Sequence, residues 1–491
     1  METPTQLLTL AVIIIVSFFV YPWLTSAIAN PIRLPLPPGH KPIPLIGNLH
    51  QFRGQDPWEL LDKLQNEHGP ILAVKLGGIQ HSTANALGEW VSDKAEHTCA
   101  GAEQPQVKIQ HRLLKLLLSN RSTLAYRGLQ DLESKQAVRD LLLFDDYHHV
   151  NTQYANRVTY SLVFGQRAGP DAEAGIQSLA SLNGELLQAM NSTGFLLELL
   201  PWLRSLPESI SSWKRMGNQL HQRIMQVYSE EIDKAAKRMG WSLTKEVLNY
   251  PETLNLFQRS LVFLVFELVE ASVLTTPAQM NHLLMTAADF PMHFRQMQLE
   301  LDKVVGTNRL PSFHDFDQLP YVRAFILETL RWRPLGPFDV PHSLNQDDEY
   351  QGYSIPRGSY ILINNRSIRW DGDVFEDPHS FSPQRWIDNP RLPVLSFGMG
   401  RRACPGQVTA VNNLYILLSR IVWAFDLNRV NVDTAADPLF HKTVRTMDYP
   451  TPFGISFRVR SPRHREVVER EWTDSLWRTD FLLTRISESF R

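Results

Sequence analysis

Phe397-Gly398-Met399-Gly400-Arg401-Arg402-Ala403-Cys404-Pro405-Gly406, followed directly by an apolar, helix-like run, decides how this chain is read. The stretch has the form F-x-x-G-x-R-x-C-x-G, with five fixed positions. Ordinary residue usage makes a chance match on the order of one in a million per start site. A cysteine sulfur at a helix N-terminus has a depressed pKa, because the helix dipole and nearby N–H groups favour the thiolate. Gly400 and Gly406 let the backbone fold tightly under a flat ring. Arg402 offers a guanidinium to a carboxylate, and Phe397 packs beside the sulfur and limits water. Together these parts fit a thiolate ligand to haem iron. The alternative is a buried structural cysteine beside a turn. Cys99, in Glu96-His97-Thr98-Cys99-Ala100, has no such surroundings and reads as a plain thiol.

Composition sets the frame around that loop. The 491 residues carry 49 Lys plus Arg against 51 Asp plus Glu, a net charge of −2, with 43% hydrophobic and 20% charged residues. Intrinsic disorder needs lower hydrophobicity and higher net charge, so it is excluded. A nucleic-acid partner is not expected, since phosphate neutralisation needs a basic excess. Two distant cysteines exclude a disulfide framework.

The N-terminus differs sharply from the rest. Between Glu2 and Arg33 there is no charge, and Leu7 to Leu24 is continuously apolar apart from Thr9 and Ser17. About 20 apolar residues span a bilayer, and Tyr21 and Trp23 suit its interface. Residues 1–30 are therefore read as an uncleaved membrane anchor. A cleaved signal peptide is the rival reading, but no Lys or Arg precedes the run. Arg33 and Lys41 follow it, which by the positive-inside rule puts the remainder in the cytosol. Residues 31–44, rich in proline, read as a stiff linker, and 45–491 as one catalytic domain.

Apolar residues recurring at three and four predict helices over 56–68, 111–118, 129–143, 151–164, 213–238, 254–285, 292–305, 319–332 and 404–425. Short strand signals fall at 71–76, 350–355, 360–364 and 455–460. The expected fold class is mainly α with small β-sheets, preceded by an N-terminal transmembrane helix.

The cysteine loop resembles that of the cytochrome P-450 superfamily of haem-thiolate monooxygenases. Glu328-Thr329-Leu330-Arg331 and Phe381-Ser382-Pro383-Gln384-Arg385-Trp386 extend the resemblance to the family's E-x-x-R and F-x-P-x-R-W segments. It covers nearly everything from Pro37 to Trp472. Asp131 to Gln136 and Leu319-Pro320-Tyr321 make it most like fungal microsomal members of secondary metabolism. The resemblance implies a cytochrome P-450 fold holding haem b, its iron ligated by Cys404. It implies a structural network of Glu328, Arg331 and Arg385, which specifies geometry more than it adds stability. It also implies propionate contacts from Arg402 and His342.

Two segments depart from the family's pattern. Where the family has A-G-x-D/E-T-T on its distal helix, this chain has Ala271-Ser272-Val273-Leu274-Thr275-Thr276. The resemblance makes Ala271 the small residue that leaves room for oxygen and Thr275 the proton-relay hydroxyl. Leu274 replaces the acid and cannot donate a proton, whereas Glu270, one turn earlier, offers a substitute or an ordinary surface carboxylate. Pro277 is expected to kink that helix. Earlier, Val107 and His111 stand where the family has the Trp and Arg of W-x-x-x-R, leaving Arg112 or Lys108 to supply the charge.

The resemblance further implies O2, electrons from NADPH through a partner flavoprotein reductase, and a single-pass protein of the endoplasmic reticulum membrane with a cytosolic catalytic domain. Pocket walls are expected from 195–200, 263–276, 335–340 and 449–453. Their apolar and aromatic residues favour a small lipophilic substrate such as a terpenoid or polyketide. Arg401, Arg402 and Arg420 are candidates for a reductase-docking patch. The alternatives are a haem-thiolate isomerase, dehydratase or peroxide user, for which Leu274 speaks, and a weakly active haem-binding homologue, for which Val107 and His111 speak.

Overall fold

The computed structural model describes residues 34–43, 47–52, 57–75, 105–167, 170–189, 206–336, 342–430, 454–475 and 479–490. The proposed anchor, Cys99 and the expected pocket segments 195–200, 337–340 and 449–453 lie outside them. The described residues fall into two compact units.

Of the described residues, the smaller unit holds 34–43, 47–52, 57–75, 206–207 and 342–361. Its helix α1 (Pro57–His68) is accompanied by two antiparallel strand pairs, one nested within the other along the chain. Strands β1 (His342–Ser343) and β4 (Tyr360–Ile361) pair with His342 opposite Ile361. Strands β2 (Asp348–Tyr350) and β3 (Tyr353–Ile355) pair with Tyr350 opposite Tyr353. Gln351 and Gly352 between them have φ of 49° and 79°, the left-handed pair that a two-residue hairpin turn requires. The single strand expected over 350–355 is thus two strands about that turn. Residues 71–75, also expected as a strand, form no ladder. The proline-rich segment is bonded in place: Ala73 N–H donates to the Pro38 carbonyl at 2.8 Å, and Ser354 N–H to that of Pro35 at 2.9 Å.

The larger unit is helical and is organised around α8. Before it come α2 (Pro105–Leu117), α3 (Asn120–Asp140), α4 (Tyr147–Phe164), α5 (Pro170–Ala189), α6 (Ser212–Lys237) and α7 (Leu243–Asn249). Then follow α8 (Gln258–Asp289), α9 (Pro291–Val304), α10 (Pro320–Trp332), α11 (Asn365–Arg369), α12 (Gln384–Asp388) and α13 (Gln407–Ala424). Strands β5 (Phe425–Arg429) and β6 (Ile455–Val459) form a five-pair antiparallel ladder. Helices α14 (Pro462–Thr473) and α15 (Thr479–Phe490) complete the unit.

From Leu261 to Val269 helix α8 carries one charged residue, Glu267, and residues 262–269 are all buried, as an apolar stretch in a protein core must be. It packs against α4, α6, α9, α10 and α13, while α13 also lies on α3. Among the described residues it is the one helix long and apolar enough to cross a membrane, but its neighbours already bury it. It continues unbroken through Pro277. That residue has no N–H, so the Val273 carbonyl loses its partner within the helix.

Candidate active site

The cysteine loop is built from two tight turns. Gly398 N–H donates to Leu395 O at 2.9 Å, Cys404 N–H closes the loop onto Phe397 O at 2.8 Å, and Ala403 N–H reaches Gly400 O at 3.3 Å. Gly400 has φ of 67°, as expected of a residue chosen for the left-handed region. Gly398, one of the variable positions of the motif, has φ 67° and ψ −171°, a region essentially confined to glycine. Gly406, by contrast, sits at φ −86° and ψ 4° as the residue before α13. Any residue adopts that backbone, so its value lies in lacking a side chain beside the sulfur: an added Cβ would lie 3.8 Å from Cys404 Sγ. Cys404 is exposed, although the helix that follows is almost wholly buried from Asn412 on.

Behind the loop stands a closed ionic network. Glu328 on α10 is fully buried and takes a bidentate pair from Arg331, Nη2 to Oε1 at 2.7 Å and Nε to Oε2 at 2.9 Å. It also accepts from Arg385 Nε at 3.2 Å, Trp386 Nε1 at 2.9 Å and Ser382 N–H at 2.8 Å. Arg331 spends its remaining donors on the carbonyls of Arg369, Pro378 and Ser380. Glu328, Arg331 and Arg385, expected from separate motifs, therefore meet. Ser396 Oγ donates to Leu330 O at 2.7 Å, which ties the start of the cysteine loop to the same helix.

A second set of polar contacts, not foreseen from the sequence, fixes the first turns of α13. Gln130 Nε2 donates to Thr409 O at 3.0 Å and to Asn413 Oδ1 at 2.9 Å. Tyr154 O–H donates to that same Oδ1 at 2.9 Å, and Arg127 Nη2 to Asn412 Oδ1 at 3.2 Å. The adjacent pair Asn412-Asn413 inside an apolar helical run was the available signal, since buried amides need partners.

Arg402 donates to His111 Nε2 on α2, and Val107, one turn before, is buried. The register that set these two residues against W-x-x-x-R thus brings His111 to the cysteine loop. Arg112 goes elsewhere: its Nη1 pairs with both carboxylate oxygens of Glu252 at 2.7 and 2.8 Å. Successive helical residues diverge in direction, so only one of the two reaches the loop. Arg420 also corrects the expectation of a docking patch. It is buried, giving Nε to Pro311 O at 2.9 Å and Nη1 to Asp131 O and Ser134 Oγ at 2.6 Å each. Burial alone would raise the Asp131 carboxyl, but Arg420 and Lys135 outweigh it and hold that carboxyl below its ordinary range. Arg401 and Arg402 remain exposed. His342 opens β1 in the smaller unit and is exposed.

Helix α8 carries the second half of the site. Residues 262–269 and 276–287 are buried, whereas every residue from Glu270 to Thr275 is at least partly exposed. Thr275 Oγ1 donates to the Ala271 carbonyl at 2.6 Å, and Thr159 on α4 donates to Ser272 Oγ at 2.8 Å. An exposed thiol before α13 and the Arg402 guanidinium beside it form a donor set that fits haem, a soft ligand for iron and a cationic donor for a carboxylate, with an uncovered strip on the central core helix.

A family model described as Cytochrome P-450 matches residues 127–449. The chain is 31% identical to the cytochrome P-450 monooxygenase aneD of Aspergillus aculeatus, over 92% of this chain and 93% of that one. It is 31% identical to the cytochrome P-450 monooxygenase FrzL of a Cladobotryum species, over 93% and 94%. It is 32% identical to the cytochrome P-450 monooxygenase peniB of Penicillium patulum, over 90% and 88%.

Proposed function

The chain belongs to the cytochrome P-450 family, as a monooxygenase, and from that premise we propose that it oxidises a lipophilic secondary metabolite, such as a terpenoid or polyketide. The reading further assigns haem b as the cofactor and NADPH, through a flavoprotein reductase, as the electron source. It puts the protein on the endoplasmic reticulum membrane, held by residues 1–30 with the catalytic domain in the cytosol. What supports the location is the uncharged run between Glu2 and Arg33 with Arg33 and Lys41 behind it. The substrate class is supported by the fungal monooxygenases that the chain resembles over nearly their full length.

The observation that carries the reading is the exposed Cys404 thiol in its closed turn before α13. Haem bound through that sulfur supplies the activation of O2, to which the thiolate contributes electron density. The residues of this chain do the rest. Arg402, with His111 beside it, binds a propionate. Phe397, whose carbonyl accepts from Cys404 N–H, fixes where the sulfur stands. Ala271 and the partly exposed residues around it would leave room for oxygen and substrate when haem is bound. Thr275 gives its own proton to the Ala271 carbonyl, so its oxygen is left to accept a hydrogen bond from water. Leu274 carries no proton, and delivery to the strip then falls to water ordered near Glu270 and Thr275.

The test is direct. Purified protein must show the carbon-monoxide difference band of a thiolate-ligated ferrous haem, and Cys404→Ala must abolish it. Turnover with NADPH, reductase and 18O2 must put label into the product. Unlabelled product would instead favour the isomerase or peroxide reading to which Leu274 points.

A further inference from the structure

The smaller unit holds a cluster that the monooxygenase reading does not use. We propose that His40, Glu67 and His68 bind a divalent transition cation of the zinc class, clamping the proline-rich segment to the C-terminal end of α1. The three side chains each present one ligand atom, and these atoms lie within 4.8 Å of one another. His40 Nε2 is 3.1 Å from Glu67 Oε2. Two ligands on one tetrahedral zinc, with bonds of ~2.0–2.1 Å, stand roughly 3.3 Å apart. That pair is therefore already at ligand spacing, and a His68 ring nitrogen lies within 4.8 Å of both.

Two orphaned atoms point the same way. His68 Nε2 is buried and has no hydrogen-bond partner, and neither does Gln51 Oε1. The Gln51 amide lies against His40, its Nε2 at 2.6 Å from Nδ1. Amide oxygen and nitrogen are interchangeable by a flip. In the flipped orientation, Oε1 accepts the Nδ1 proton and gains the partner it lacks. His40 then presents a bare Nε2 toward Glu67 and His68. A ligating histidine held by an acceptor on its other nitrogen is the usual outer-shell arrangement of a metal site.

The donor set selects the cation. Two imidazoles and one carboxylate suit zinc, copper or nickel, whereas calcium and magnesium demand a cage of oxygens. Lys63 lies 3.8 Å from Glu67 Oε1 but is largely exposed and free to swing away. The backbone already holds the segment next to His40, since a Cβ at Gly39 would meet the Ala73 carbonyl at 2.2 Å. A cation would add a point of attachment between residues 34–43 and α1.

The experiment is equilibrium dialysis of the metal-stripped, full-length, haem-loaded protein against buffered Zn2+, with Mg2+ as the control cation. One zinc equivalent per chain is expected with no Mg2+ response, and at least a tenfold weaker affinity in His68→Ala and Glu67→Gln. An unchanged haem spectrum certifies that each variant is folded. Zinc is also expected to slow proteolytic cutting within residues 34–43 of the wild type. Zinc-edge X-ray absorption of the wild type must show two imidazole ligands, which secures the result should His68→Ala fail to fold. Absence of zinc uptake at micromolar concentration overturns the proposal. So does equal uptake by the variants, or an edge spectrum lacking imidazole.

Discussion

The two halves of the active site are constructed on opposite principles. On the cysteine side, Glu328 accepts five donor contacts from four residues, and both arginines around it are satisfied. All five of those contacts are direct, and the loop they support keeps the family's fixed residues. On the α8 side, six consecutive residues lie open in the middle of a buried helix. Ser272 and Leu274 stand there where the family has other residues. A thiolate ligand demands fixed geometry, because the iron's properties follow the sulfur's hydrogen bonds and exposure. The opposite face must admit different molecules and can change residues without unfolding the protein. The contrast sets a closed ionic network behind Cys404 against a partly exposed stretch along 270–275.

The largest effect should come from Glu328→Ala. It leaves Arg331 and Arg385 buried without their counter-charge, and breaking such a network from one side costs about 3–5 kcal/mol. Little haem-loaded protein should accumulate, read as a collapse of the carbon-monoxide band per milligram and a large drop in Tm. Normal yield and spectrum in that variant would remove the difference between the two halves.

The buried end of α8 gives the next effect. His282 is pushed down to about 3, first by burial and then by the Arg333 charge. Its ordinary value is near 6.5, so between those two values the unfolded chain binds a proton that the folded chain refuses. Stability is therefore intact above about pH 6.5 and falls as the pH drops toward 3, by at most about 1.4 kcal/mol per pH unit from this one group. His282→Gln should flatten the decline of Tm between pH 6 and 4. A parallel decline in both proteins would contradict it.

Gly398→Ala comes third. A side chain in that backbone region costs about 1–3 kcal/mol, and here the strain falls on the turn whose carbonyl chain closes onto Cys404. The expected signature is partial conversion of the thiolate band to its inactive, protonated form, with a moderate loss of Tm. Gly406→Ala, on an ordinary backbone, should lose less. The reverse order would show that the room beside the sulfur matters more than the turn.

What the sequence made legible follows the same division. The cysteine loop and the Glu328 network could be read because each charged residue there answers to one geometric need. Arg420 was misjudged because arginine in a helix looks solvated until Asp131 and Ser134, nearly 290 positions earlier, are seen to enclose it. Gly398 was passed over because a motif letter hides its φ and ψ. The spacing of apolar residues does not mark helix α5, and 350–355 reads as one strand because Gln351 is not a usual left-handed residue. Helix ends moved by several residues: α3 starts at Asn120, not Leu129, since its cap is Ser119 accepting from Ser122 N–H and polar residues fill the first turns.

Ser272→Ala tests the fixed edge of the open strip. It removes the acceptor of the Thr159 hydroxyl, a contact worth about 1 kcal/mol, so Tm should fall slightly. Substrate binding spectra should change little, because that hydroxyl is engaged with α4. A large change in substrate affinity would mean that Ser272 turns toward the ligand during binding.

Leu274→Asp should affect stability least and is the most telling for function. The position is only partly buried, so an aspartate there keeps water contact and costs little. If proton supply to the strip is limited by the missing acid, the variant should consume less NADPH per product formed and release less hydrogen peroxide. Glu270→Gln should have the opposite effect in the wild-type background and a smaller one in Leu274→Asp, since two carboxylates serving one role are not additive. Unchanged coupling in Leu274→Asp together with unchanged coupling in Glu270→Gln would mean that protons reach the strip by water alone. The open half of the site would then owe its residues to substrate shape rather than to proton transfer.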